Sequence, residues 1–148
     1  MNRRDLFSTS AALALASAAS SAMAEDHSHH DHAAMMGGAP SKALLTSLAD
    51  CINKGQACLA HCLVLLGDGA KEMAPCAQSV SQMLAICTAL QSLANQHAPL
   101  TKATARVALD ACEQCEKECL KHAKKHVECD VCAKACVDCA KQCKALLA

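Results

Sequence analysis

The stretch Cys129-Asp130-Val131-Cys132-Ala133-Lys134-Ala135-Cys136-Val137-Asp138-Cys139-Ala140-Lys141-Gln142-Cys143 decides the fold. Its cysteines recur at spacings of 3, 4, 3 and 4. Residues three and four apart share one face of an α-helix. That spacing is the inner seam of a packed helix, with cysteine where Leu or Ile is usual. Working outward, Cys112, Cys115 and Cys119 repeat the pattern at 3 and 4, and Cys51, Cys58 and Cys62 at 7 and 4. Cys76 and Cys87 lie 11 apart, again on one face. All 13 cysteines therefore fall on helical stripes, and the pattern specifies a core lined with thiols.

The stripes divide the chain into four helices. Ser41 is the expected N-cap of the first. Its seam is Leu44, Leu48, Cys51, Gly55, Cys58, Cys62 and Leu65, and Gly67-Asp68-Gly69 ends it. The second is expected from about residue 72 to 95, with Met73, Cys76, Val80, Met83, Cys87, Leu90 and Ala94 inward. Pro75 is tolerated only in a first turn, which fixes that start. Ala98-Pro99 breaks the chain, and Thr101 is the expected N-cap of the third helix. That helix carries Ala105, Ala108, Cys112, Cys115 and Cys119, and is expected to pass His122 and end near Lys125. The fourth is expected from about residue 128 to 147. Short connections favour antiparallel neighbours, so the fold class is all-α: an up-down-up-down antiparallel four-helix bundle with a cysteine-lined core. β-Branched residues are sparse and never alternate, which argues against strands.

The segments before the bundle read differently. Arg3-Arg4, the apolar run 11–19 and Ala22-Met23-Ala24 resemble a twin-arginine (Tat) signal. Residues 1–24 are accordingly expected to be a cleaved signal, and the protein to be exported to the periplasm or another extracytoplasmic compartment. Residues 25–40 hold His27, His29, His30, His32, Met35 and Met36 and are expected to be a mobile His/Met-rich segment. Residues 41–148 form the expected bundle domain.

Composition narrows the function. Without the first 24 residues the chain keeps 12 Lys/Arg against 13 Asp/Glu, a balance that favours neither nucleic acid nor an anionic membrane. Phe7 is its single Phe, Tyr or Trp, so the rest of the chain has no stacking platform for single-stranded nucleic acid. No acid/base pair or cofactor motif suggests an enzyme.

The thiols admit several readings. As mere small hydrophobes they would be a poor choice, because Leu buries more area. A disulfide scaffold conflicts with the odd count, the long helical periods and the separation of Cβ atoms along one helix face, about 5–6 Å where a disulfide needs about 3.8 Å. Ferredoxin-type iron–sulfur ligation uses loops and a proline after the last cysteine, whereas Cys143 is followed by Lys144. Zn(II) wants discrete closed sets of four ligands. Cu(I) is soft, monovalent and satisfied by two thiolates that can bridge between ions. One Cu⁺ replacing one proton per thiol keeps the interior neutral, so loading can approach one ion per cysteine. Many Cu(I) ions per chain are the expected cargo. The competing readings are a metallothionein-like detoxification protein for Zn, Cd, Ag or excess copper, and a docking copper chaperone. A chaperone needs one exposed pair of thiols.

The C-x₂-C-x₃-C runs at 112–119 and 129–143, the Cys58-x₃-Cys62 pair, the His61-Cys62 dipeptide and the Tat-like start resemble the bacterial four-helix-bundle copper storage proteins, most closely their exported branch from methane-oxidising bacteria. The resemblance implies a homotetramer of bundles, each filled with Cu(I) held mainly by cysteine pairs. It implies storage for a copper enzyme such as membrane methane monooxygenase. The family's thiols carry over to Cys51, Cys58, Cys62, Cys76, Cys87, Cys112, Cys115, Cys119, Cys129, Cys132, Cys136, Cys139 and Cys143. In an up-down-up-down bundle His61, Met73, His122 and His126 gather at one end, the expected mouth for copper. Leu44, Leu48, Leu90, Leu93 and Leu147 gather at the other as an apolar plug. The resemblance leads one to expect methionines at positions 65 and 68, where this chain has Leu65 and Asp68. Met83 is read as packing rather than as a ligand.

Overall fold

The computed structural model describes residues 40–148. The expected signal, 1–24, and all of the His/Met-rich segment except Pro40 lie outside the described residues. Four helices make up the rest: α1 (Lys42–Gly67), α2 (Ala74–Asn95), α3 (Thr101–Leu120) and α4 (Val127–Leu147). No strand occurs among the described residues.

The helix ends follow local chemistry. The Ser41 hydroxyl accepts from the Leu44 amide at 3.1 Å, the reciprocal of an orphan donor and an N-cap oxygen. Gly69 at φ +93° lets the chain leave α1, a conformation most side chains resist. A single 3₁₀ turn, Lys71–Met73, leads into α2, and Pro75 occupies its first turn. His97 takes the left-handed conformation, φ 51°, where α2 turns toward α3.

Two expected boundaries are corrected. Thr101 is the first residue of α3 and not its N-cap: its hydroxyl donates back to the Ala98 carbonyl at 2.7 Å, so it offers no cap to an amide ahead. α3 ends at Leu120 and does not reach Lys125. The amides of Lys121, His122 and Lys125 bond three residues back, to Glu118, Cys119 and His122. These tight turns reverse the chain into α4 within a few residues.

Four neighbouring pairs close the ring: α1 with α2, α2 with α3, α3 with α4, and α4 with α1. Sulfur contacts give the directions. Cys62 at the end of α1 meets Cys76 at the start of α2. Cys76 and Cys87 meet Cys119 and Cys112 in reverse order, and Cys51 and Cys58 meet Cys136 and Cys129 likewise. Each neighbour is antiparallel, as in an up-down-up-down bundle. On the outside, Lys144 of α4 pairs with Glu113 of α3 at 2.8 Å.

The core is one continuous cluster. Every cysteine is fully buried, together with Leu44, Leu48, Met73, Val80, Met83 and Leu90. The plug is therefore formed by Leu44, Leu48 and Leu90, with Leu147 partly buried against it. Leu93 is half-buried and stands apart from that cluster, because it lies off the seam defined by Leu90 and Ala94. The seam of α1 also weakens at its end, where Leu65 is half-buried.

Candidate metal centre

All 13 cysteines are free thiols. The seams bring them together across the bundle axis. Cys58, Cys62, Cys76 and Cys129 have all their Sγ atoms within 4.8 Å of one another, and so do Cys51, Cys87, Cys112 and Cys139. The first set lies toward the end of α1, the second toward its start. Between them sit two sets of three, Cys58 with Cys119 and Cys132, and Cys115 with Cys132 and Cys136, on the same distance criterion. Cys58 and Cys132 each belong to two sets. Cys143 alone is outside these sets. It lies one turn beyond Cys139, whose hydrogen bond holds its thiol well above the usual range.

The closest hydrogen-bonded thiol pairs are Cys76 with Cys119 and Cys87 with Cys112, each at 3.6 Å. Cys62–Cys76 is 3.8 Å, and Cys51–Cys136 and Cys115–Cys132 are both 3.9 Å. These are contact distances between thiols, far from the roughly 2.05 Å of a disulfide.

Among the described residues no cation compensates this interior. The buried polar residues among those described are Ser79, Thr101 and Glu118. Glu118 is at the margin, where Lys121 pairs with it at 2.5 Å. Burial, and then the neighbouring Cys76, push the Cys62 thiol up to about 11. Cys51 is held down at about 6, first by the Cys112 thiol and then by Cys136. Hydrogen bonds from Cys115 and Cys119 lower Cys132, and those from Cys112 and Cys143 lower Cys139. Cys119 and Cys136 are raised, the first chiefly by Cys115 and the second chiefly by Cys112. Neighbouring thiols thus share protons unequally, some holding theirs more tightly than others.

The four residues expected at the mouth, His61, Met73, His122 and His126, are not placed alike. Nε2 of His61 and Nδ1 of His126 are 3.0 Å apart, so one ring donates to the other. His126 is extended (φ −131°, ψ 112°) immediately before α4, which puts it in the turn. Its ring centroid is 4.9 Å from that of His61 and 6.5 Å from that of His122. His122 is half-buried in the turn after α3. Met73 lies deeper, fully buried at the start of α2. Glu128 was not among the expected site residues. Its Oε2 is 3.6 Å from His61 Nε2, close enough to orient that imidazole. Only its place one residue before Cys129 could have marked it.

Thiol sets that share members, a neutral interior and an imidazole pair at one opening suit soft monovalent ions bridged by common thiolates. A tetrahedral Zn(II) finds four sulfurs in either four-cysteine set. It would leave those sets with negative charge and no buried cation to offset it.

The comparisons agree with this geometry. A family model described as copper storage protein matches residues 37–148. The uncharacterized cysteine-rich protein YhjQ of Bacillus subtilis (strain 168) is 30% identical over 108 residues, covering 73% of this chain and 96% of that protein. The Cu(I)-bound copper storage protein BsCsp3 matches with a TM-score of 0.66 and 29% identity, over 73% of this chain and 98% of its own. The apo form of copper storage protein 3 from Bacillus subtilis matches at 0.64 and 30% identity, over 73% of this chain and 99% of its own. The Streptomyces lividans copper storage protein Ccsp, loaded with 10 copper equivalents, matches at 0.66 and 28% identity, over 79% of this chain and 92% of its own.

One expectation is overturned here. A copper storage protein of Streptomyces lividans that matches at a TM-score of 0.55 is cytosolic, so resemblance to this family does not carry export with it. The expectation of a periplasmic or other extracytoplasmic protein is corrected accordingly. It rested on Arg3-Arg4 and the apolar run behind them, which lie outside the described residues. With the thiol sets, the four-helix ring and the family match over most of its length, the chain belongs to the copper storage protein family.

Proposed function

We propose that the bundle, residues 41–148, stores many Cu(I) ions as thiolate-bridged clusters along its axis and releases them at the His61 end. The observation that carries this reading is the linkage of the thiol sets: twelve cysteines fall in sets of three or four, and Cys58 and Cys132 join one set to the next. Shared thiolates bridge Cu(I), and each Cu⁺ that replaces a thiol proton leaves the interior uncharged. All the cysteines are ligands in this reading. His61 and His126 form the entry, His122 flanks them, and Met73 is the first soft group behind them. The role is storage without catalysis. The recipient is a copper enzyme, of which membrane methane monooxygenase is the example that the resemblance suggests.

Assembly into a homotetramer belongs to the same proposal. Leu63, Val64, Leu120 and Val127 are exposed near the mouth end, apolar side chains that a contact between subunits would cover.

The test is anaerobic titration of the fully reduced chain with Cu(I) and, separately, with Zn(II). The expected result is on the order of ten Cu(I) per chain and only a few Zn(II). Saturation at one or two Cu(I) would make the protein a chaperone. Comparable loading by Zn(II) would favour the detoxification reading.

A further inference from the structure

The thiol lining is interrupted at mid-bundle on one side. The α1 seam passes from Cys51 to Cys58 through Gly55, and the α2 seam passes from Cys76 to Cys87 through Val80 and Met83. The α3–α4 side at that level presents Cys115, Cys132 and Cys136. Met83 fills the gap. It is fully buried, and its Sδ lies 3.4 Å from Cys51 Sγ, a shorter separation than any between the thiols. Cys51 in turn is 3.9 Å from Cys136.

Gly55 makes this placement possible. A Cβ on Gly55 would lie 2.6 Å from Met83 Cε and 2.9 Å from Leu84 Cδ2. Glycine inside a helix costs about 1 kcal/mol relative to Ala. Here it clears the volume taken by the thioether methyl, which leaves the sulfur beside Cys51. Packing alone would be met by Leu with any small neighbour. It does not account for sulfur set against sulfur.

We infer that Met83 is a copper ligand: its thioether and the Cys51 thiolate form a two-sulfur Cu(I) site that links the Cys51 set to Cys136 across the gap. The inference rests on the storage reading. On binding, Cu⁺ pairs with the Cys51 sulfur, any proton it replaces there or on the neighbouring thiols leaves to solvent, and the neutral thioether releases none, so the Cys51–Cu⁺–Met83 unit is uncharged. Thioether sulfur is a soft ligand suited to Cu(I). It holds the ion without adding a second anionic sulfur and so favours exchange with the neighbouring thiols.

Selenium tests this directly. The full chain carries its methionines at 1, 23, 35, 36, 73 and 83. With Met35, Met36 and Met73 replaced by Leu and the protein grown on selenomethionine, Met83 carries the one selenium among the described residues, 40–148. X-ray absorption at the selenium edge of the Cu(I)-saturated protein is expected to show copper at bonding distance. Adding Met83→Leu should abolish that signal and lower the saturating count by no more than one ion. This swap nearly conserves volume, so the apo bundle should retain its helical circular dichroism. A normal copper count with no copper–selenium contact, or a contact that survives Met83→Leu, would overturn the inference. A count of one or two would overturn the storage reading instead, so the two failures are distinguishable.

Discussion

The two ends of the bundle hold equal sets of four grouped thiols and are closed by opposite chemistry. Beyond Cys51, Cys87, Cys112 and Cys139 come Leu44, Leu48 and Leu90, fully or almost fully out of water. Beyond Cys58, Cys62, Cys76 and Cys129 come Met73 and the half-buried pair His61 and His126. One end is sealed by groups with nothing to offer a metal. The other is closed by neutral ligands weaker than thiolate. The difference teaches that capacity and access are separate properties of this fold: sulfur count sets the first, and the nature of the lid sets the second. It also locates the apo stability. Protonated thiols pack as small apolar groups, but the large buried aliphatic side chains are concentrated at the sealed end. Solved copper storage proteins match this fold both in an apo form and in a Cu(I)-bound form, as expected of a bundle closed without metal.

The strongest way to break the comparison is to open the sealed end. Leu48 is completely buried. Leu48→Ala should destabilise the reduced apo-protein by about 2–5 kcal/mol through lost burial and the cavity left behind. Denaturant unfolding followed by circular dichroism measures it. The saturating copper count should not change, since no ligand is removed. A loss below about 1 kcal/mol would mean that the plug does not carry the apo fold.

Next in size is the contrast between lid and lining. Replacing His61, Met73 and His126 together with non-ligating residues should slow Cu(I) uptake, and removal by an external chelator, by about tenfold, roughly a 1.4 kcal/mol barrier. The saturating count should fall by a few ions at most. Replacing Cys132, Cys136 and Cys139 should do the reverse and lower the count by about a quarter, in proportion to three of 13 thiols, while leaving the initial uptake rate near that of the parent. Stopped-flow absorbance and equilibrium titration read the two quantities. Unchanged rates in the lid variant would place the route elsewhere.

Much of this contrast was legible in the sequence, because a helical seam is a spacing rule. The stripes placed every cysteine in the core, and Ser41, Pro75 and Gly69 marked the ends of helices by mechanisms that act locally. What escaped was set by tertiary structure. Lys121-His122-Ala123-Lys124-Lys125 has helix-favouring composition, yet α3 stops at Leu120 because the chain must turn into α4. Thr101 has the chemistry of a cap but turns its hydroxyl backward to Ala98. Glu128 sits off every seam and joins the mouth only because the turn brings the start of α4 against His61. Met83 was read as packing because spacing cannot show the 3.4 Å to Cys51 or the space that Gly55 clears.

The smallest expected effect sharpens the comparison through protons. Cys62, near the mouth, is raised from 9.0 to about 11, and Cys51, in the deep set, is lowered from 9.0 to about 6. A thiol whose folded pKa is raised contributes stability that is complete below the unfolded value and lost as pH climbs through the folded one. Cys62 should therefore make the apo bundle lose stability between pH 9.0 and about 11. A lowered pKa works in the opposite sense. The contribution of Cys51 is complete above 9.0 and is lost as pH falls toward about 6. The thermal midpoint of the reduced apo-protein should then be highest near pH 9 and decline on either side. Carboxylates also titrate on the acid side, so differences between variants carry the test. Cys62→Ser should flatten the alkaline limb alone, and Cys51→Ser the acid limb alone. If both substitutions flattened the same limb, the two thiol sets would titrate as one network, and the ends of the bundle would differ in their lids and not in the proton affinity of their sulfur.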